Sequence, residues 1–133
     1  MTRFPTPAHL ISWAGLCPRN DESAGKRRST RVRKGAPWLK TALVQAAWSA
    51  TRVKKSYLSA QYFRIKSRRG SRKANLAVAA SMLTAIYFML RDGVAFRDLG
   101  HDYFDRINKT KAAERMVRRL NDLGFQVQLT AAA

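Results

Sequence analysis

Apolar residues recur at helical spacing in several stretches, separated by breaks marked with glycine and proline. In the first, Thr6 before Pro7 reads as an N-cap with proline at the first helical position. Leu10, Ile11, Trp13 and Ala14 form its packing face, and Gly15 and Pro18 end it. A second stretch opens at Pro37 and aligns Leu39, Leu43, Ala46, Ala47 and Ala50, with Lys40 and Arg52 outside the stripe. A third, roughly Tyr57 to Arg68, sets Leu58, Tyr62 and Ile65 on one face and Arg64, Lys66, Arg68 and Arg69 around the other, and Gly70 ends it.

Residues 74–90 are apolar on every side, interrupted by Asn75, Ser81 and Thr84 and flanked by Arg72, Lys73 and Arg91. A membrane span needs about 20 strongly apolar residues. This stretch is shorter and alanine-rich, so it reads as a central helix surrounded by its neighbours. Asp92-Gly93 stops it, and residues 96–106, which carry both signs of charge, are expected to brace the bundle. A last helix from Lys111 to Leu123 aligns Ala112, Met116, Val117, Leu120 and Leu123, with Gly124 at the C′ position. The FQVQLT that follows alternates like a short strand.

The fold class is therefore mostly α: a compact bundle of about five helices with a long basic loop and a short C-terminal strand. Residues 1–133 read as a single domain made of a basic loop (19–36), a helical core (37–91) and a C-terminal helix and strand (92–133). The loop stands out. Residues 17–36 lack an apolar period and are read as a long loop carrying a short hairpin at 26–33. Compact domains rarely hold a loop of this length without a use for it, because burial does not offset its ordering entropy.

Charge sharpens that view. The chain has 133 residues, 26 Lys and Arg against 8 Asp and Glu, and a formal charge of +18. Residues 19–73 hold 17 of the basic residues and two acids. Such an excess repels itself unless phosphates or counter-ions offset it, so nucleic acid is the expected partner. A solvated basic face and an anionic membrane surface are the alternatives. With 46% apolar residues the chain has material for a core, and a lone Cys17 makes neither an internal disulfide nor a zinc site. A reducing interior fits, and the proline-broken start is a poor signal peptide.

Hydrolase constellations are missing: His9 and His101 are far apart, Cys17 has no nearby histidine, and there is no Gly-x-Ser-x-Gly or Walker motif. Asp98, Asp102 and Asp105 alone approach a carboxylate cluster, but they alternate with Arg97, His101 and Arg106, and ion pairing is their expected role. What remains is Ser23 within DESAGKRRSTRVRKG, close to Lys26, Arg27 and Arg28, with the small Ala24 and Gly25 beside it. Guanidinium groups can stabilise an alkoxide and a phosphoryl transition state, so these surroundings suit attack on a phosphodiester. Serines near arginines are common in loops, and from spacing alone a plain turn serine or one that only contacts phosphate is the commoner case.

The ordered series F-P, A-x-x-x-x-W-A-G-L-x-P, E-S-A-G-K-R, R-K-G, W-L and L-x-x-A-A resembles the C-terminal module of insertion-sequence transposases of the IS110 type, also called IS116 and IS902. The likeness continues through YLSAQYFRIKSRRGSRKANLAVA and RDLGHDYFD. It implies a DNA recombinase in which a serine of this module works with an N-terminal RuvC-like module bearing four acidic residues. It also implies a structured guide RNA and an oligomeric assembly.

Carried over by motif, Ser23 is the nucleophile that forms a transient phosphoserine link, with Ser29 as the fallback. Arg19, Lys26, Arg27, Arg28, Arg31, Arg33 and Lys34, together with Arg64, Lys66, Arg68, Arg69, Arg72 and Lys73, are the expected nucleic-acid contacts. The RuvC-like module is absent from these residues, so no cofactor is expected in this chain and Mg²⁺ belongs to that other module. The isolated chain is then expected to bind nucleic acid without recombining DNA, in a bacterial or archaeal cytoplasm, associated with the nucleoid and not with membrane. The rival from another class is a non-catalytic basic DNA- or RNA-binding remnant or regulator.

Overall fold

The computed structural model describes residues 2–19, 21–29 and 31–130, except for the side chains of Asp21 and Arg27. Among them are six helices and one two-stranded sheet, in the order α1 (Pro7–Trp13), β1 (Asp21–Ser23), β2 (Lys26–Ser29), α2 (Pro37–Ala50), α3 (Tyr57–Arg69), α4 (Ser71–Asp92), α5 (Tyr103–Ile107) and α6 (Lys109–Asp122). The fold is mostly α. The chain gathers into two compact units, residues 1–101 and residues 102–133, where length alone predicts one.

In the first unit α4 is the hub, and α1, α2 and α3 pack on it. Its buried face is Ala74, Asn75, Val78, Ala79, Leu83 and Tyr87. Leu10, Leu43, Ala47 and Tyr62 meet that face from the other three helices. The small residues of α4 and Ala47 let the helix backbones approach closely. Two polar links fix the arrangement: the Tyr87 hydroxyl lies 2.9 Å from the Phe4 carbonyl and 3.0 Å from that of Pro5, and Asn75 Nδ2 donates to the Val44 carbonyl at 3.1 Å.

By length and composition α4 could cross a membrane. It is not enclosed on every side, as its uniform apolarity predicts: Phe88 and Leu90 are exposed, because three helices cover only part of its circumference. Gly70, at φ +82°, ends α3 and immediately starts α4, and Gly93, at φ +67°, ends α4 in the left-handed conformation.

Helix α1 shows how its flanks are built. Thr6 Oγ1 accepts the His9 N–H, capping the start. At the other end Gly15 donates to Ser12 and Leu16 to Ile11, the Schellman arrangement, with Leu16 turned into the core. Trp13, expected on the packing face, is 44% exposed.

The second unit contains α5 and α6. Arg106 pairs with Asp102 and Arg115 with Asp105. Helix α6 ends in a second Schellman turn through Gly124, as its position predicts, with Phe125 donating to Leu120. Its apolar stripe departs from expectation: Ala112 is buried, whereas Met116, Leu120 and Leu123 are exposed. The alternating residues 125–130 form no strand; they have no ladder partner, and alternation without a neighbouring edge does not make a sheet.

Candidate nucleic-acid interface

The basic loop is a ribbon. β1 and β2 pair antiparallel, with Ser23 opposite Lys26, Glu22 opposite Arg27, and a bulge between Asp21 and Glu22. The expected hairpin at 26–33 is thus displaced to 21–29, because the turn forms where two successive residues accept positive φ: Ala24 at +52° and Gly25 at +73°. A two-residue loop with both φ positive is the signature of a type I′ turn, whose twist matches that of the strands. Below the bulge the arms stay together, since Arg19 N–H donates to the Arg31 carbonyl at 2.8 Å and Pro18 bridges Val32.

The neck is a contact between two backbones. A Cβ on Gly35 would lie 2.3 Å from the Gly15 nitrogen, and one on Gly15 would lie 2.8 Å from the carbonyl oxygens of Arg33 and Lys34. Both glycines also have positive φ, at +73° and +57°. No other residue fits either position without displacing the opposite strand of the neck. Ala36 N–H donates to the Trp13 carbonyl, and Lys40 Nζ donates to that of Arg33 at 2.9 Å. The glycines of W-A-G-L and R-K-G are therefore the two halves of one clamp.

This clamp holds out a polar arm. Ser23, at the last rung before the turn, is exposed, and among the described residues its hydroxyl has no hydrogen-bond partner. Directly opposite residues on paired strands share a face with Cβ atoms about 4.5–5.5 Å apart, which puts Lys26 within reach of whatever Ser23 touches. Arg28 is the residue that the bulge leaves without a partner in the register, and its side chain is exposed. Ser29 is engaged, its Oγ accepting the Arg31 N–H at 3.1 Å.

Arg19, Lys26, Arg28, Arg31, Arg33 and Lys34 are exposed; the side chain of Arg27 lies outside the described residues. A second basic stretch runs through Arg64, Lys66, Arg68 and Arg69 on α3 into Arg72 and Lys73 in the first turn of α4, all exposed. Lys66 lies over the rings of Tyr62 and Phe63, 5.7 Å from each centroid. No carboxylate occurs in the sequence between Glu22 and Asp92, and Glu22 itself stands opposite Arg27 on the ribbon.

The aspartates are elsewhere engaged. Asp98 accepts the Tyr57 N–H at 3.0 Å and the Gly100 N–H at 2.7 Å, tying the segment after α4 to the start of α3. Asp98 thus ties down its own segment through backbone groups, where an ion pair with Arg97 or His101 is the expectation. With Asp102 and Asp105 in ion pairs, these residues do not fit a Mg²⁺ ion, and no group of three His, Cys, Asp or Glu among the described residues could hold a metal. A hydrogen bond from Arg91 raises the affinity of Arg91 for its proton and draws the Asp92 carboxyl below its ordinary range.

An apolar cavity of about 350 Å³ lies among α3, α4 and residues 94–99, and it contains no acid–base pair. Sequence reasoning also passed over two groups beside the ribbon. Lys40 reads as a surface lysine yet braces the neck, and Trp13 and Trp38 meet edge to face with centroids 6.3 Å apart.

Residues 1–63, which span α1, the ribbon, α2 and the first half of α3, match the family model described as Transposase IS116/IS110/IS902 family. No curated protein and no solved structure matches the chain.

Proposed function

We propose that this chain, whose residues 1–63 place it among the insertion-sequence transposases of the IS116/IS110/IS902 family, uses its basic ribbon to grip DNA and Ser23 to attack the phosphodiester. Transposases of an insertion sequence act on DNA, so the partner class follows from the family. The observation that carries the finer reading is the Ser23–Lys26 rung: an exposed serine beside a lysine at the tip of an arm whose base is locked by Gly15 and Gly35.

A ribbon of two antiparallel strands fits the width of the DNA major groove. Exposed arginines along it take phosphates in bidentate pairs and hold the backbone in register. At the tip, the Ser23 Oγ forms a bond to phosphorus while one phosphorus–oxygen bond to deoxyribose breaks. The hydroxyl proton leaves Ser23, and the departing deoxyribose oxygen takes up another. Lys26, opposite Ser23, and Arg28, at the bulge, offset the charge that builds on the phosphoryl oxygens. Ala24 and Gly25 add no bulk against the DNA backbone.

Carboxylates for Mg²⁺ come, in this reading, from a separate RuvC-like module, and a structured guide RNA selects the DNA in an oligomeric assembly in the cytoplasm. The nucleophile is tested by combining the chain with DNA bearing the element's ends, the acidic module and Mg²⁺, and resolving covalent adducts on denaturing gels. An adduct is expected with the wild type and none with Ser23→Ala, whose DNA affinity stays within about twofold. An adduct that survives Ser23→Ala, or is lost only with Ser29→Ala, rejects the assignment. No adduct on any substrate, with steeply salt-dependent binding, favours a non-catalytic binding protein.

A further inference from the structure

At the foot of the ribbon, Phe4, Trp13 and Trp38 form a row of rings. Phe4 and Trp13 have centroids 5.5 Å apart at 53°, and Trp13 and Trp38 are 6.3 Å apart at 73°. Rings in edge contact leave flat faces unused. Trp38 is 68% exposed and Trp13 44%. Trp48 also makes an edge contact, with the buried Tyr62 at 5.9 Å, and at 41% is exposed about as much as Trp13, which leaves Trp38 the most open of the three indoles.

The row is rigid. Trp13 is the last residue of α1 and Trp38 the second of α2, and the Gly15–Gly35 clamp and the Ala36-to-Trp13 hydrogen bond join the two segments. An indole held open to water at this cost in apolar exposure presents a preformed flat surface. Its surroundings select the partner: Arg33, Lys34 and Lys40 flank Trp38 in the chain, Lys40 Nζ is fixed at the Arg33 carbonyl, and no carboxylate occurs from residue 23 to residue 91. A nucleic-acid strand, a polyanion with flat aromatic units, uses the flat ring faces and the cations together.

We infer that Trp38, backed by Trp13, is a stacking platform for an unpaired nucleobase of a nucleic-acid strand whose phosphates run along the neck of the ribbon. This deepens the nucleic-acid reading above and rests on it. Duplex DNA keeps its bases stacked and offers the platform nothing, so the platform confers a preference for single-stranded or unpaired segments. DNA and RNA can both supply such a base.

The test titrates the full chain with ten-residue oligothymidylate, oligouridylate and a duplex of equal length, following tryptophan fluorescence and Kd at fixed salt. Single strands are expected to quench the emission. Because base–aromatic stacking accounts for about a fivefold to hundredfold difference in affinity per base, Trp38→Ala is expected to lose at least about fivefold on single strands and keep its duplex affinity. Trp38→Phe, which retains a ring, should recover most of that loss. Circular dichroism of the variants confirms that the helices persist. Tighter binding of uridylate assigns the base to RNA, and tighter binding of thymidylate to DNA; either supports the platform.

Equal loss on duplex and single strand, or no loss on either, overturns it while leaving nucleic-acid binding intact. Failure of the wild type to bind any of the three overturns both readings at once.

Discussion

The ribbon and the helical core of the first unit sit within one short chain and obey opposite rules. The core is a set of small and aliphatic side chains with two tyrosines around α4, and of its buried Asn75 the Nδ2 donates to the Val44 carbonyl while the Oδ1 has no partner among the described residues. The ribbon buries nothing of that kind. Its strand residues are charged or hydroxylic, Glu22, Ser23, Lys26 and Arg28 are exposed, and what fixes it is mainly backbone: a type I′ turn at one end and two interlocked glycines at the other. A core substitution should therefore act on stability and leave chemistry alone. A ribbon-tip substitution should do the reverse, and only the neck couples the two.

The neck gives the largest effect. Gly35→Ala meets the backbone of Gly15 at 2.3 Å and carries in addition about 1–3 kcal/mol for its positive φ, so the melting temperature should fall by more than about 10 °C and the ribbon should become protease-sensitive. A variant that melts like the wild type would break the separation at its joint. Next is Leu83→Ala in α4, which leaves a cavity in the core around that helix and should cost about 2–5 kcal/mol by urea unfolding, with DNA affinity of the folded protein unchanged.

Asp98→Ala removes the acceptor for the N–H groups of Tyr57 and Gly100 and should cost about 1 kcal/mol, again without touching DNA binding. Smallest, and opposite in sign, is Ala24→Asn. Asparagine tolerates positive φ better than alanine and precedes glycine in type I′ turns, so the hairpin should gain up to about 1 kcal/mol, visible as slower amide exchange in β1 and β2. Ser23→Ala should leave the melting curve where it is.

The same contrast decides what could be read from the sequence. Helices α1 to α4 follow from apolar periodicity and from Thr6, Pro7, Pro37, Gly70 and Gly93, because local stop and start chemistry agrees with the packing there. The ribbon was legible as a basic, functional segment but not in its register. Periodicity has nothing to report in a stretch whose faces are both wet, and the turn is set by which residues accept positive φ. An alanine at φ +52° is not the residue that turn signals lead one to expect.

The clamp was also invisible as such. Gly15 and Gly35 each look like a local terminator, and their contact exists only once α1 and α2 are side by side. At the C-terminus the FQVQLT alternation promised a strand that needs a partner edge, and the stripe of α6 promised burial that Met116, Leu120 and Leu123 do not have.

If the ribbon is where nucleic acid is held, the salt dependence of DNA affinity will show it, measured for the wild type and for a Lys26→Ala, Arg28→Ala, Arg31→Ala variant of equal melting temperature. If each of these side chains takes a phosphate, the slope of log affinity against log salt should become shallower by about two to three, since each neutralised phosphate contributes about 0.9. An unchanged slope in a folded variant would contradict the account and move the interface to Arg64–Lys73 or elsewhere.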